Sequence, residues 1–227
     1  MPTGVVRRIG AAFVGTGILA AAVIGSGIMA AKLAGGNAAL ALLCNALATG
    51  AVLVALMTAL GPVSGAHLNP VVTMVIGLRG EMPADEAVPY VAAQIVGGVL
   101  GAFAAHAMFD LPIFQLSSTA RTGTAQWFAE IVAAFGLLAT IVGCIRFRPS
   151  AIASSVGLYI LSAYWFTAST SFANPALTIA RSLTDTFAGI SPYHVFPFIL
   201  AQMFGAALGA VVMEGLAGWR LTSHREN

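Results

Sequence analysis

Three stretches of the chain, Ile9 to Ala31, Leu33 to Ala66 and Pro149 to Ala180, contain no Asp, Glu, Lys or Arg. A membrane-crossing helix needs about 20 mostly apolar residues, and each stretch can supply one. Soluble domains draw about a quarter of their residues from the charged types; here 8% are charged, 59% are hydrophobic and mean hydropathy is +0.91. The pattern predicts an all-α membrane protein. A chain of 227 residues made mostly of spans leaves no room for a separate soluble catalytic or nucleotide-binding domain. Function must therefore reside inside the helix bundle.

The formal charge of +2 comes from basic residues scattered singly or in pairs between the apolar runs, which argues against nucleic acid as a partner and for a role in setting topology. Cys44 and Cys144 fall in apolar runs away from any Cys-x-x-Cys or His cluster. They are read as buried small hydrophobes rather than a disulfide or zinc ligands. Arg7 and Arg8 before Ile9 to Ala31 resemble a signal peptide, but the apolar run exceeds the usual core of about 7 to 15 residues. It is read as the first span.

Charge and turn residues separate six expected spans at 9–31, 38–61, 86–109, 124–146, 150–171 and 194–216. Two shorter apolar pieces, Leu68 to Leu78 and Pro175 to Ala180, follow spans two and five and read as half-helices. An even number of spans puts both termini on one side. That side carries Arg7, Arg8, Arg79, Arg146, Arg148, Arg220 and Arg225, against Lys32, Arg121 and Arg181 opposite. The excess predicts cytoplasmic termini in a multi-pass inner-membrane protein.

Ala92-Ala93-Gln94-Ile95-Val96-Gly97-Gly98-Val99-Leu100-Gly101-Ala102 aligns with Leu200-Ala201-Gln202-Met203-Phe204-Gly205-Ala206-Ala207-Leu208-Gly209-Ala210. With three spans in each half, approximately 1–118 and 119–227, the second copy of this repeat must lie upside down in the bilayer. The two halves make one domain. Upstream of each matching span stands a related phrase, Leu68-Asn69-Pro70-Val71-Val72-Thr73 and Ala173-Asn174-Pro175-Ala176-Leu177-Thr178. Asn caps a helix by accepting a backbone N–H, and Pro at the first helical position has no N–H to satisfy.

Irregular backbone at bilayer depth is tolerated only where it is buried in protein or lines a wet cavity. A half-helix of about 10 residues rises about 15 Å, so two entering from opposite faces meet near the midplane of a core about 30 Å thick. Their opposed positive dipole ends would repel cations and protons. The Asn69 and Asn174 amides, each held by its oxygen, would offer N–H donors to a neutral hydroxylated solute.

On these residues the chain resembles the aquaporin superfamily over nearly its whole length. Ser64-Gly65-Ala66-His67-Leu68-Asn69-Pro70-Val71 is similar to the family's first box, with Val71 where Ala is usual, and Asn174-Pro175-Ala176 to its second. The resemblance implies six tilted helices, two re-entrant half-helices and a homotetramer in which each subunit has its own pore. Gly97, Gly101, Gly205 and Gly209, spaced by four, would permit close helix crossings.

Where Arg directly follows the second Asn-Pro-Ala in typical members, this chain has Leu177. Counting back from the two boxes without gaps puts the other constriction positions at Thr49, Ser162 and Ser171. A ring with neither Arg nor aromatic should be wider than a strict water filter. It is similar to that of bacterial aquaglyceroporin-like channels associated with arsenic resistance, which implies glycerol, urea and metalloid hydroxides such as arsenite, with or without water, as solutes.

Arg181 lies one turn beyond Leu177, where it either forms a basic lip to the pore or pairs with Asp185 at the surface. Glu130 is a carboxylate inside an apolar span and so a functional candidate; the family uses such a Glu to brace the re-entrant loop, and its repeat partner here is Ala12. His67 is expected to line the pore. Trp127, Tyr159, Tyr164, Trp165 and Trp219 read as interfacial anchors.

These features predict a passive, bidirectional channel for small uncharged solutes, with no enzymatic activity and no cofactor, whose partners are the lipid bilayer and its solutes. The alternative is a secondary transporter of a small polar solute, which can share inverted repeats and broken helices. Against it stands the shortage of intramembrane carboxylates. Ser64 and His67 are too poorly equipped for a nucleophile and base, lacking a third orienting group.

Overall fold

The computed structural model describes residues 4–218, so Trp219, Arg220 and Arg225 lie outside the described residues. Its helices are α1 (Val5–Leu33), α2 (Ala38–Ser64), α3 (Pro70–Leu78), α4 (Ala84–Met108), α5 (Thr124–Phe147), α6 (Ile152–Phe166), α7 (Pro175–Ser182) and α8 (Val195–Leu216). Short 3-10 turns at Pro149–Ala151 and Pro192–His194 lead into α6 and α8. Among the described residues five helices, α1, α2, α4, α5 and α8, are long and apolar enough to cross a membrane. Helix α6 has 15 residues, which rise about 22 Å, and the preceding turn adds about 6 Å. Together they complete a sixth crossing.

This span stops at Phe166 rather than continuing to residue 171 as its composition suggested. Thr167 takes up the Ala163 carbonyl with both its hydroxyl (2.6 Å) and its N–H, and its backbone then turns extended. The half-helices are α3 and α7; the first begins at Pro70, because Leu68 and Asn69 belong to the loop that caps it.

Helices pack in corresponding pairs, α1 on α4 and α5 on α8, with α2 crossing α6 between them. Glycine makes the first two crossings. A Cβ at Gly97 or Gly101 would penetrate the carbonyl oxygens of Phe13 and Gly17, and one at Gly205 or Gly209 those of Ile131 and Phe135. Gly50 and Gly157 meet reciprocally at the third, where an added Cβ on each would lie 2.9 and 2.7 Å from the other's carbonyl oxygen. In lipid, helix association depends on such close backbone approach rather than on apolar burial. Ile18, Leu43, Leu47, Leu100, Leu158, Phe204 and Leu208 accordingly stay exposed on the perimeter.

Cys44 is exposed on that perimeter and Cys144 is half-buried. The expectation of two buried thiols is corrected, since a thiol is apolar enough to face hydrocarbon.

The two faces of the bundle are tied differently. On the face where α1 begins and α8 ends, Arg8 pairs with Glu86 (3.0 Å) and Arg79 with Glu214. On the opposite face the α4–α5 connection folds over the end of α7: the Ser182 carbonyl accepts the Ser117 N–H, and buried His106 bridges the Ile113 carbonyl and the Thr184 hydroxyl, each at 2.8 Å. Helices α3 and α7 therefore enter from opposite faces.

Overpacking of this kind costs about 1–3 kcal/mol, so Gly101→Ala or Gly209→Ala should lower the thermal unfolding midpoint in detergent. Gly10→Ala, where an added Cβ meets nothing within 4 Å, should leave the midpoint unchanged or slightly raised.

Candidate functional site

Each half-helix starts where the sequence places its cap. The Asn69 side-chain oxygen accepts the Val71 N–H (3.1 Å), and that of Asn174 accepts the N–H groups of Ala176 (3.0 Å) and Leu177 (3.3 Å). The amide nitrogens then cross over. Asn69 Nδ2 donates to the Ala173 carbonyl and Asn174 Nδ2 to the Leu68 carbonyl, both at 2.8 Å. A carboxamide carries two N–H donors, so each asparagine spends one in joining the loops and keeps one for the lumen. Pro70 and Pro175 occupy the first helical positions, and buried Val71 and Ala176 follow.

The loops leading into the caps share an unusual backbone. Ala66 and Leu68 before Asn69, and Ser171 and Ala173 before Asn174, all have φ between 46 and 50°. Left-handed backbone costs a non-glycine residue about 1–2 kcal/mol, so each loop must be held. Ser64 Oγ accepts the Ala66 N–H and Ser169 Oγ the Ser171 N–H, both at 3.2 Å. Gln94 donates to Thr73 (3.0 Å) and Gln202 to Thr178 (2.9 Å), and each threonine hydroxyl bonds back to its capping asparagine's carbonyl. These pairs repeat from one half to the other.

Glu130 breaks the symmetry. Fully buried, it accepts the Phe172 and Ala173 N–H groups (both 2.9 Å) and the Gln202 amide (2.6 Å). It thus clamps the second loop. Ala12 stands at the matching place in α1 and offers the first loop no acceptor.

A cavity of about 570 Å³ runs past these loops. At the face of the termini it is lined by Arg8, Glu81, Met82 and His67, and His67 Nδ1 lies 3.2 Å from the Thr73 hydroxyl. Asn69 and Asn174 line its waist. The walls are stripes at helical spacing, Thr49, Leu53 and Met57 on α2, Leu137, Ile141 and Ile145 on α5, and Val156, Ile160 and Tyr164 on α6. Beyond the waist the lining includes Ser171, Phe172, Leu177 and Arg181.

Three expectations change here. Ser162 does not line the cavity: it is exposed on the outside of α6 with its hydroxyl on the Leu158 carbonyl. Ungapped counting ran through the loop after α6, and an error of two residues turns a side chain by about 200° on a helix. Tyr164 lines the cavity instead, its hydroxyl 3.2 Å from that of Thr49. It is therefore a buried wall residue and no interfacial anchor. The cavity wall consequently has an aromatic member here, which the i, i+4 stripe on α6 signals.

Arg181 is only 2% exposed, with Nε donating to the Ala188 carbonyl. It makes no pair with Asp185, whose carboxylate accepts the Ser118 N–H (2.8 Å) and hydroxyl (2.9 Å). Of the other aromatics, Trp165 is exposed, Trp127 packs on the Phe172, Ile190 and Phe198 cluster, and Tyr159 donates to the Val132 and Ala133 carbonyls.

A polytopic helical bundle with two opposed half-helices flanking a continuous cavity is the architecture of a membrane channel. Residues 2–148 match the family model "Major intrinsic protein". The chain is 52% identical to the aquaglyceroporin AqpS of Rhizobium meliloti (strain 1021) over 206 residues, covering 91% of this chain and 84% of that one. It is 30% identical to the aquaporin AqpM of Methanothermobacter marburgensis, covering 75% of each. The X-ray structure of the aquaglyceroporin from Plasmodium falciparum superposes with a TM-score of 0.69 at 20% identity, covering 94% of this chain and 96% of that one. The chain belongs to the major intrinsic protein family and is a multi-pass membrane channel for small solutes, not an enzyme.

Glu130→Ala would leave two buried N–H groups of a left-handed loop without an acceptor, each costing about 1–3 kcal/mol. The detergent-solubilised protein should unfold at a clearly lower temperature and lose solute flux; an unchanged midpoint would show that the loop does not depend on the clamp. Hydrogen bonds from Ser118 hold the Asp185 carboxyl below its ordinary pKa. A depressed value stabilises the folded loop above the unfolded aspartate pKa of about 3.9, and that contribution disappears as pH falls through the lowered value. Hydrogen exchange at the Ser118 amide, corrected for intrinsic rate, should therefore speed up only in that acid range, and Asp185→Asn should remove the step.

Proposed function

We propose that the protein is a passive, bidirectional channel for small uncharged solutes of the size of glycerol and urea, including metalloid hydroxides such as arsenite. The reading holds with or without water on the same path. The observation that carries this reading is Leu177 on the cavity wall, at the position after Asn-Pro-Ala where a narrowing arginine is usual. The filter is then Thr49, Tyr164, Ser171 and Leu177, with Asn69 and Asn174 presenting N–H donors at the waist and His67 lining the path beyond. Apolar stripes facing a few aligned donors suit a molecule with hydroxyls on one side and carbon or a soft element on the other. The names of the aquaglyceroporin relatives support polyol-sized solutes. Halves 1–118 and 119–227 form one channel domain, assembled as a homotetramer in the inner membrane with both termini cytoplasmic.

Stopped-flow light scattering of proteoliposomes under separate water, glycerol and arsenite gradients tests the reading. Glycerol and arsenite should move fast and without saturation, with no ion gradient. Leu177→Arg should cut glycerol flux by roughly tenfold while reducing water flux much less. Equal loss of both would contradict the filter assignment, and flux appearing only with an imposed proton or sodium gradient would make the protein a secondary transporter.

A further inference from the structure

Leu177 removes a charge from the family's usual constriction position, but the cavity is not left without one. Arg181, four residues on along α7, lines the same cavity while 2% exposed. Four residues advance a helix by about 6 Å and return a side chain to within about 40° of the same direction. A guanidinium on α7 therefore still faces the lumen, one turn closer to the outer mouth.

Its position is built. The guanidinium carbon lies 3.3 Å from the centre of the Phe172 ring, Nε donates to the Ala188 carbonyl, and the Arg181 carbonyl accepts the Ile190 N–H (3.2 Å). The stacking face and Nε are thereby committed. Among the described residues the terminal nitrogens make no hydrogen bond or ion pair, and a guanidinium carries its remaining donors there. Arg121, the second cation at this mouth, lies 5.1 Å from the same ring but spends its Nε on Gly189 and a terminal nitrogen on Ser169. The carboxylates nearby are already spent, Glu130 on its three donors and Asp185 on Ser118. Ser171, 2% exposed and also on the cavity wall, has a hydroxyl without any partner.

We propose that Arg181 is the charge-selecting residue of this channel: held on Phe172 one turn outside the wide constriction, it repels cations and, with Ser171, orients the oxygen atoms of incoming neutral solutes. The separation of size selection from charge selection follows. In one ring, an arginine both narrows the passage and excludes cations; here the narrow level keeps Leu177 for width and the charge stands where it does not obstruct. The solute class is a small neutral molecule with two neighbouring acceptor oxygens, matching a fork of donors, and an apolar flank that passes Leu177 and Phe172. This deepens the channel reading given above and rests on the cavity being the permeation path.

The test reads glycerol flux and potassium leak separately in proteoliposomes. Arg181→Leu should raise potassium leak by at least about tenfold, because an unscreened charge in a low-dielectric passage repels like charge strongly, and should lower glycerol flux without abolishing it, since the donors that orient the solute are lost. Leu177→Arg with Arg181→Leu should restore cation exclusion and lower glycerol flux relative to water. Should removal of the arginine prevent folding, Leu177→Glu leaves it in place and neutralises it through an i, i+4 pair. That variant should leak potassium where Leu177→Gln does not. Wild-type potassium leak in a folded, glycerol-conducting Arg181→Leu or Leu177→Glu channel would overturn the proposal. Failure of the wild-type protein to conduct glycerol at all would instead overturn the channel reading, so the two failures are distinct.

Discussion

Two hydrogen bonds, from the Asn69 amide to the Ala173 carbonyl and from the Asn174 amide to the Leu68 carbonyl, hold the half-helices tip to tip inside the bundle. Everything else answers to this junction. Non-helical backbone inside a membrane exposes polar groups that lipid cannot satisfy, so the loops survive only if each is paired within the protein. The asparagines do this twice over, capping their own helices with oxygen and the opposite loop's carbonyl with nitrogen. The serines, threonines and glutamines around them complete the satisfaction, and Glu130 supplies on one side what Ala12 does not on the other.

The glycine crossings serve the same end from outside. By letting α1 meet α4 and α5 meet α8 at backbone contact, they keep Gln94 and Gln202 close enough to reach the threonines of α3 and α7. The cavity is what remains between the two halves. Its walls are apolar along most of their length, and its polar groups are concentrated at the waist and the two mouths. A lining with so few fixed donors is the feature on which the proposed preference for uncharged molecules rests.

The expected spans and half-helices correspond closely to the helices observed, because hydropathy over about 20 residues and an Asn-Pro cap are local signals. The glycine spacing was equally readable, and Glu130 stood out as a carboxylate with no business in an apolar run unless something held it. Which of Tyr164 and Ser162 faces the cavity depends on the length of the loop Thr167 begins. No local pattern reports that length. The reciprocal asparagine bonds were also invisible, since each depends on a partner about a hundred positions away.

Sequence alone determined that the chain spans the membrane and that it carries two capped helices too short to cross. These follow from composition and periodicity, which act over a few turns. Only the tertiary structure decided which side chains meet in the lumen. It turned Tyr164 inward and Ser162 outward, and it drew Arg181 off the surface onto Phe172 because the loop ending at Ile190 folds back to meet it. A side chain's direction on a helix is set by neighbours distant in the chain, which no local pattern contains.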